Sequence, residues 1–539
     1  MQKRRLHVWA CACALLLAVL LTGCQAVQGL DIGQVLVHAS AHLSNESQGT
    51  MQFEFVPAAD SDWGDNNPLA ELFKQVTVDV HSAKTEDLEH MSIDADLVYS
   101  KGKIPFQLVL DGDSYIINVQ GAKKPIVIKM NGTSDDIDGA AAQMLTADLT
   151  KTLRSKYVEL VPSIYKLFTD HVPNPATINV MQVTDQVHGE TLVLDKLHAE
   201  VNGTELIGLL KGFLTSLLAD EEGMKAFIGE LYDALMPVFK EFMNTYNDQL
   251  EEGLSDYTAN PALTEGMQLI QEYLDNKTLV VEFLYTTATH FLQKAVDQLD
   301  TVVADELTTK GFDALLSDRA YLKVDLYIDG NKMIRKQKFD MQIPLDETSG
   351  LSAIKVSSSM DMWNIGQDVK ADTIDVSNGT LDIQGTASLN GYELLNNFDK
   401  QSDLYKLLKD DFHVGKKQFY LFIENEDSYD ADYDASHPYV NEDQVSMVSA
   451  RDIAERLGDQ AEWDEATRSV SIHDEWTGTD VALTVGSRTA LVNGEEVTLD
   501  SPAVIKNGTT FVPLRFIAEA LGAQVEWNGE YQMVTVTRE

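Results

Sequence analysis

Several groups of side chains in this sequence have the types and spacing that chemistry needs. His38 and His42 stand four residues apart, a spacing that can bring two imidazoles to one metal ion from one side of a helix. No HExxH pattern accompanies them and no third ligand is identifiable, so two surface histidines are expected. Asp430, Asp432 and Asp434 alternate as at the start of a calcium loop. That loop needs Gly at its sixth position and Glu at its twelfth, where Ala435 and Asn441 stand, so a solvated linker is expected. Asp60, Asp62 and Asp65 are looser still, and with Asn67-Pro68 and Glu71 they read as a helix start. Trp463 and Trp527 offer indole faces that could stack on sugar rings. Both lie beside apolar strands, which points to core packing.

Covalent catalysis finds no support. The sequence has no GxSxG, no phosphate-binding loop and no GxGxxG between a strand and a helix. With 85 acidic residues, carboxylate pairs are everywhere and no glycosidase pair can be nominated. The three cysteines are Cys11, Cys13 and Cys24. Lys3, Arg4 and Arg5 precede an apolar run from Leu6 to Leu21, too short for a comfortable membrane span, which reads as a removable signal. The run ends in Leu21-Thr22-Gly23-Cys24, which looks like a lipobox. Cleavage before Cys24 removes residues 1–23 with Cys11 and Cys13, and a diacylglyceryl group caps the remaining thiol. Acyl chains such as palmitate contribute roughly 0.8 kcal/mol per buried methylene, so two or three anchor a protein without any span. The expected location is the extracellular face of the cytoplasmic membrane, lipid-anchored at Cys24, with no disulfide and no thiol left for a metal or a nucleophile.

Charge agrees with such a surface. The chain carries 41 basic and 85 acidic residues, a net −44, and loss of the leader's three basic residues takes it to −47. A surface of this sign repels nucleic acid and anionic headgroups. At 44% hydrophobic residues the chain still has enough apolar content for sizeable cores. With 539 residues, two or more domains are expected.

The elements that would position these groups show an internal repeat at the C-terminal end. Residues 448–463 fall on 512–527 without a gap, and ten of sixteen positions are identical. The related segments extend over about 440–473 and 504–537. Each predicts a strand, a helix ended by Gly458 or Gly522, a strand carrying Trp463 or Trp527, and a closing strand. A hairpin turned around Asn493-Gly494 lies between them.

At Val492-Asn493-Gly494, Val504-Ile505, Thr510-Phe511-Val512-Pro513-Leu514-Arg515, Leu521-Gly522 and Glu526-Trp527, the chain resembles the copper amine oxidase N-terminal-like domain of Gram-positive surface proteins. The first copy departs from this pattern, with Ser449-Ala450 in place of Pro-Leu. In the parent enzymes this domain is a non-catalytic stalk, so the resemblance implies neither copper nor oxidation. The Asn-Tyr-Asp/Glu motif from which the amine oxidase cofactor is made is absent.

The expected organisation is α+β. Residues 24–423 form a large antiparallel β-rich ectodomain with a helical insertion at about 204–307. Residues 424–437 form an acidic linker, and 438–539 a small stalk-like domain of two related halves. Alternation predicts strands at Thr50 to Val56, Met91 to Tyr99, Phe106 to Leu110 and Tyr115 to Val119. Further strands are expected near Ile178 to Val183, Thr191 to Val201, Ile354 to Met362 and Val369 to Ile383. A hairpin pairs Leu322, Val324, Leu326 and Ile328 with Phe339, Met341 and Ile343 across Asp329-Gly330-Asn331. Helices are expected at Asp31 to Ser44, Ile137 to Phe168 and most of Thr204 to Leu307, the last packed as a bundle. Four Asn-Gly-Thr triplets, at Asn131, Asn202, Asn378 and Asn507, are expected to be turns.

Together these features point to a non-enzymatic surface lipoprotein, with no cofactor and no metal, acting as a binding or scaffolding module. Its partners would be the membrane through Cys24, and beyond it cell-wall polymer or another surface protein. The alternative is a carrier of lipid or another hydrophobic ligand, because a helix, a meander and apolar helices are similar in outline to bacterial lipoprotein-carrier folds.

Overall fold

The computed structural model describes residues 26–59, 68–129, 147–253, 273–302, 313–345, 350–383, 391–425, 437–474, 477–531 and 533–538. The chain divides into two compact units, Met1–Ser388 and Leu389–Glu539.

The first unit is built on one twelve-stranded sheet. Strands β1 (Asn45–Pro57), β2 (Gln75–Thr85), β3 (His90–Tyr99), β4 (Gly102–Asp111), β5 (Ser114–Val119) and β6 (Ile126–Lys129) form one meander. Strands β7 (Thr177–Val187), β8 (Glu190–Asn202), β9 (Tyr321–Ile328), β10 (Ile334–Pro344) and β11 (Leu351–Trp363) form another. The two join where β1 pairs antiparallel with β11. Strand β12 (Leu381–Ile383) pairs parallel with β6 at one edge. On β9 and β10 the alternation works as expected, with Leu322 opposite Met341 and Val324 opposite Phe339. Their turn holds Asp329 as an acceptor for the Asn331 and Met333 amides, and the positive φ falls on Lys332 rather than Gly330.

The segment expected as a strand from Val369 is irregular until β12. Strand β11 lies beside β1 and β12 beside β6, so the chain between must cross the intervening strands, roughly 30 Å at the usual strand spacing. A segment running across strands cannot share their ladder. It is pinned instead by Lys84–Asp372 and Lys370–Glu86 ion pairs, both at 2.7 Å, and by the Asp372 amide donating to Ser92 Oγ.

Helix α1 (Ile32–Ala41) starts at Asp31, whose carboxylate accepts from the Gln34 amide at 2.9 Å. It buries Ile32 and Val35 against Leu197 and Ile328. The helical middle comprises α2 (Ala147–His171), α3 (Leu206–Ala219), α4 (Glu221–Gly253) and α5 (Lys277–Val302). Between α3 and α4 the chain breaks at Asp220. One carboxylate oxygen accepts from the Gly223 amide at 2.9 Å, and the other lies 3.1 Å from His171 Nε2. The Gly223 amide, with His171 behind it, holds the Asp220 carboxyl below its ordinary pKa. Phe168 and Phe213 stack at 5.3 Å and, with Leu206 and Leu209, pack on Ala199, Val201 and Leu322. The bundle is looser than expected: Leu279, Phe283 and Phe291 of α5 remain 49, 58 and 65% exposed. Lys225–Glu282 and Lys277–Asp233 ion pairs join α4 to α5 and occupy part of the seam that apolar packing would otherwise fill.

The second unit holds β13 (Lys417–Phe422), β14 (Glu424–Asn425), β15 (Tyr439–Val440), β16 (Ser446–Ser449), α6 (Ala450–Leu457), β17 (Gln460–Asp464), β18 (Ser469–Asp474) and β19 (Thr479–Thr484). These are followed by β20 (Thr489–Val492), β21 (Glu495–Thr498), β22 (Val504–Lys506), β23 (Thr509–Pro513), α7 (Leu514–Ala520), β24 (Gln524–Asn528) and β25 (Met533–Arg538). The repeat is real in three dimensions. Each copy runs strand, helix, strand, strand, and Gly458 and Gly522 take φ of 99° and 76° where the helices end. Asn493 and Gly494 both have positive φ, as the tight hairpin turn requires.

The equivalent strands β16 and β23 pair antiparallel with Val448 opposite Val512, which are equivalent residues of the repeat. Antiparallel pairing of equivalent residues places a local two-fold axis between the copies, as in a symmetric dimer. They share one core, with Ile453, Ala454 and Leu457 of α6 in the same cluster as Ile517, Ala518 and Leu521.

The boundary differs from the expected one after residue 423. Strand β13 pairs with β25 along its whole length, and Leu421 and Ile423 enter the shared core. The second unit therefore begins well before the expected linker. Of that linker, Glu424 and Asn425 pair with β15, and residues 426–436 lie outside those described.

Candidate functional site

The residues singled out in the sequence scatter. The rings of His38 and His42 lie 4.4 Å apart with their planes tilted by 50°, and His42 Nδ1 lies 2.9 Å from the His38 carbonyl oxygen, which turns that nitrogen away from any shared metal. Among the described residues no group of three or more His, Cys, Asp or Glu is placed to hold a metal ion. Cys24, Asp60 to Asp65, Asp430 to Asp434 and Asn131 lie outside the described residues. Asn378-Gly379 and Asn507-Gly508 are turns, with glycine φ of 87° and 79°. Asn202-Gly203 is not. Asn202 caps a short helix by accepting from the Thr204 amide, and a Cβ on Gly203 would come within 2.3 Å of the Leu315 and Ser317 carbonyls.

The N-terminal unit has a cleft of about 380 Å³ between α4 and α5, lined by Lys225, Glu230, Asp233, Lys277 and Glu282. Ala226, Gly229, Thr278 and Val281 complete its lining.

The two tryptophans correct the core-packing expectation. Trp463 is paired with Val470 and Trp527 with Val534, so each indole starts on the buried side of its sheet. Strands β17 and β24 are edge strands, however, and the rings overhang the rim. They are 42 and 51% exposed. Beside the first of them, Arg451, Glu455, Asp459, Gln460 and Ala461 line a cleft of about 530 Å³. In the second copy Arg515 Nη1 lies 3.4 Å from Glu519 Oε1 and 3.5 Å from the Val525 carbonyl.

Behind the first rim lies an ion network that the sequence did not suggest. Arg538 Nη1 donates to the Leu457 carbonyl at 3.2 Å and to Asp459 Oδ2 at 3.1 Å, and Nη2 donates to Asp474 Oδ1. The three side chains are 5, 6 and 0% exposed. Asp474 and Arg538 are equivalent positions of the repeat, so the two-fold brings opposite charges together. The signal was present as a charge reversal at that shift, but only the pairing of β16 with β23 gives it meaning. Burial, then the Asp474 charge, pushes the Asp459 pKa up to about 6, against the pull of Arg538.

This has a consequence for pH. A carboxyl whose folded pKa is raised stabilises the fold fully below its unfolded value of 3.8, and that contribution is lost as pH rises through about 6. The unfolding midpoint of Asp459→Asn minus that of the natural chain should therefore increase between pH 4 and pH 7. Urea titrations at the two pH values check this, and an unchanged difference would contradict it.

No curated protein matches the chain, and no solved structure does. Residues 429–536 match the family model of the copper amine oxidase N-terminal domain, and a domain of that kind occupies the C-terminal end of this chain.

Proposed function

We propose that the chain is a non-enzymatic surface lipoprotein, held to the outer face of the cytoplasmic membrane by lipid on Cys24 and acting as a binding or scaffolding module. The observation that carries this is the order of basic start, apolar run and Leu21-Thr22-Gly23-Cys24. No helix among the described residues is long and apolar enough to cross a membrane, and acyl chains on Cys24 would anchor the chain without one. The C-terminal match is to a domain that is non-catalytic in its parent enzymes. Its rims and clefts lie on a core shared by two copies, a rigid way to present a surface.

In cells fed a labelled fatty acid, the natural chain should take up label and stay with the membrane. Cys24→Ala should lose the label and the membrane association. Label persisting in the variant, or unlabelled natural chain in the medium, would end this reading.

A further inference from the structure

The ten residues shared by the two copies fall into two sets. Five follow from the fold. Val448 and Val512, Ile453 and Ile517, Ala454 and Ala518, and Leu457 and Leu521 are buried, and Gly458 and Gly522 have positive φ. The other five are exposed in both copies: Arg451 and Arg515, Glu455 and Glu519, Gln460 and Gln524, Glu462 and Glu526, Trp463 and Trp527. Buried positions have meanwhile diverged, Ser449 against Pro513 and Ala450 against Leu514. Stability alone predicts the reverse. Exposed substitutions usually change stability by about 0.5 kcal/mol or less, so differences should accumulate there first. The Arg515–Glu519 contact contributes only about 0.3–0.5 kcal/mol as an i,i+4 pair and cannot hold the set in place.

The chemistry of the exposed set is specific. A half-exposed indole is an apolar plate with one polar tip. Among the described residues neither indole N–H has a hydrogen-bond acceptor, so each can donate to a ligand. Trp463 stands about 7 Å along the same face of β17 from Ala461, which lines the cleft holding Arg451 and Glu455, while Gln460 and Glu462 alternate onto the opposite face with Ser471 and His473. An apolar plate beside a carboxylate and a guanidinium matches a pyranose ring. The C–H face stacks on the indole, and hydroxyl or acetamido groups meet the polar side chains. The charged pair beside each ring carries one positive and one negative charge, on a chain of net −44, which disfavours an anionic polymer.

We propose that each copy is a sugar-binding subsite with Trp463 or Trp527 as its platform, and that the ligand is a neutral, N-acetylated glycan. This deepens the binding-module reading, rests on it, and names its partner. The full chain is titrated calorimetrically with a neutral hexamer of N-acetylglucosamine. Two equivalents should bind, one in Trp463→Ala or Trp527→Ala, and none in the double variant, which should still unfold cooperatively. Glu455→Ala with Glu519→Ala, a second test independent of the rings, should weaken binding about tenfold through lost hydrogen bonds. Absence of saturable binding, two equivalents retained without the rings, or binding of a proline-rich peptide in place of the hexamer would overturn the proposal. Because the titration needs no lipid, its failure leaves the Cys24 anchor untouched, and failed labelling leaves the sugar sites untouched.

Discussion

Replacing Arg538 with methionine should destabilise the C-terminal unit by about 3–5 kcal/mol at neutral pH, the usual cost of removing one partner from a buried pair. The guanidinium satisfies the Leu457 carbonyl and two carboxylates at once. Without it, Asp474 and Asp459 face each other with no cation among the three side chains that now form the network. The remaining carboxyls can escape by taking up protons, so the loss should shrink as pH falls toward 4. Removing the whole network tells a different story. Arg538→Met combined with Asp474→Leu and Asp459→Ala, the last matching Ala523 of the other copy, should recover most of the loss, because well-packed apolar groups replace buried ions at little cost. Urea unfolding of the single and triple variants measures both. A single-variant loss below about 1 kcal/mol would mean that water reaches the network in solution.

A fragment beginning at Leu389 should unfold cooperatively, whereas one beginning at His437 should be less stable by about 3 kcal/mol or more. The shorter fragment lacks strand β13, Ile423, β14 and the buried Leu395, Phe398 and Leu407. Leu421 and Ile423 are 4 and 5% exposed, and fully burying such a side chain contributes about 1.5–3 kcal/mol each. The shorter fragment also leaves β25 without one of its two neighbours. The family match, from residue 429, leaves out β13. Circular dichroism melts of the two fragments decide the point, and equal midpoints would show that β13 is dispensable. Neither copy of the repeat should fold by itself, since each lends half of one core.

Local pattern made much of this fold legible. Alternation placed the β9–β10 hairpin residue by residue, and the sixteen-residue repeat placed both helices and the glycines that end them. What failed was non-local. Val369 to Thr380 has strand-like composition, but its route across the sheet is set by where β12 pairs. Lys417 to Phe422 looked like the end of the first unit because nothing nearby reveals a partner more than a hundred residues away. The tryptophans sit at positions that alternate correctly with the core, and only their place on edge strands exposes them. Charge reversal between Asp474 and Arg538 was visible in the sequence, and it gained a meaning only with the two-fold axis. Phe283 and Phe291 have the helical spacing of buried residues, yet the ion pairs between α4 and α5 set the packing there.

The pairing of β13 with β25 also determines how the C-terminal unit would answer a mechanical load. Lys417, where β13 begins, lies directly opposite Arg538, where β25 ends. Tension applied between those two residues would act at one end of the ladder and peel it a bond at a time, the geometry of least resistance for paired strands. The buried guanidinium of Arg538 stands at the point where that peeling starts. Resistance to pulling would therefore be concentrated in one electrostatic latch rather than spread along the strands, and weakening the latch would lower the rupture force far more than shortening the ladder.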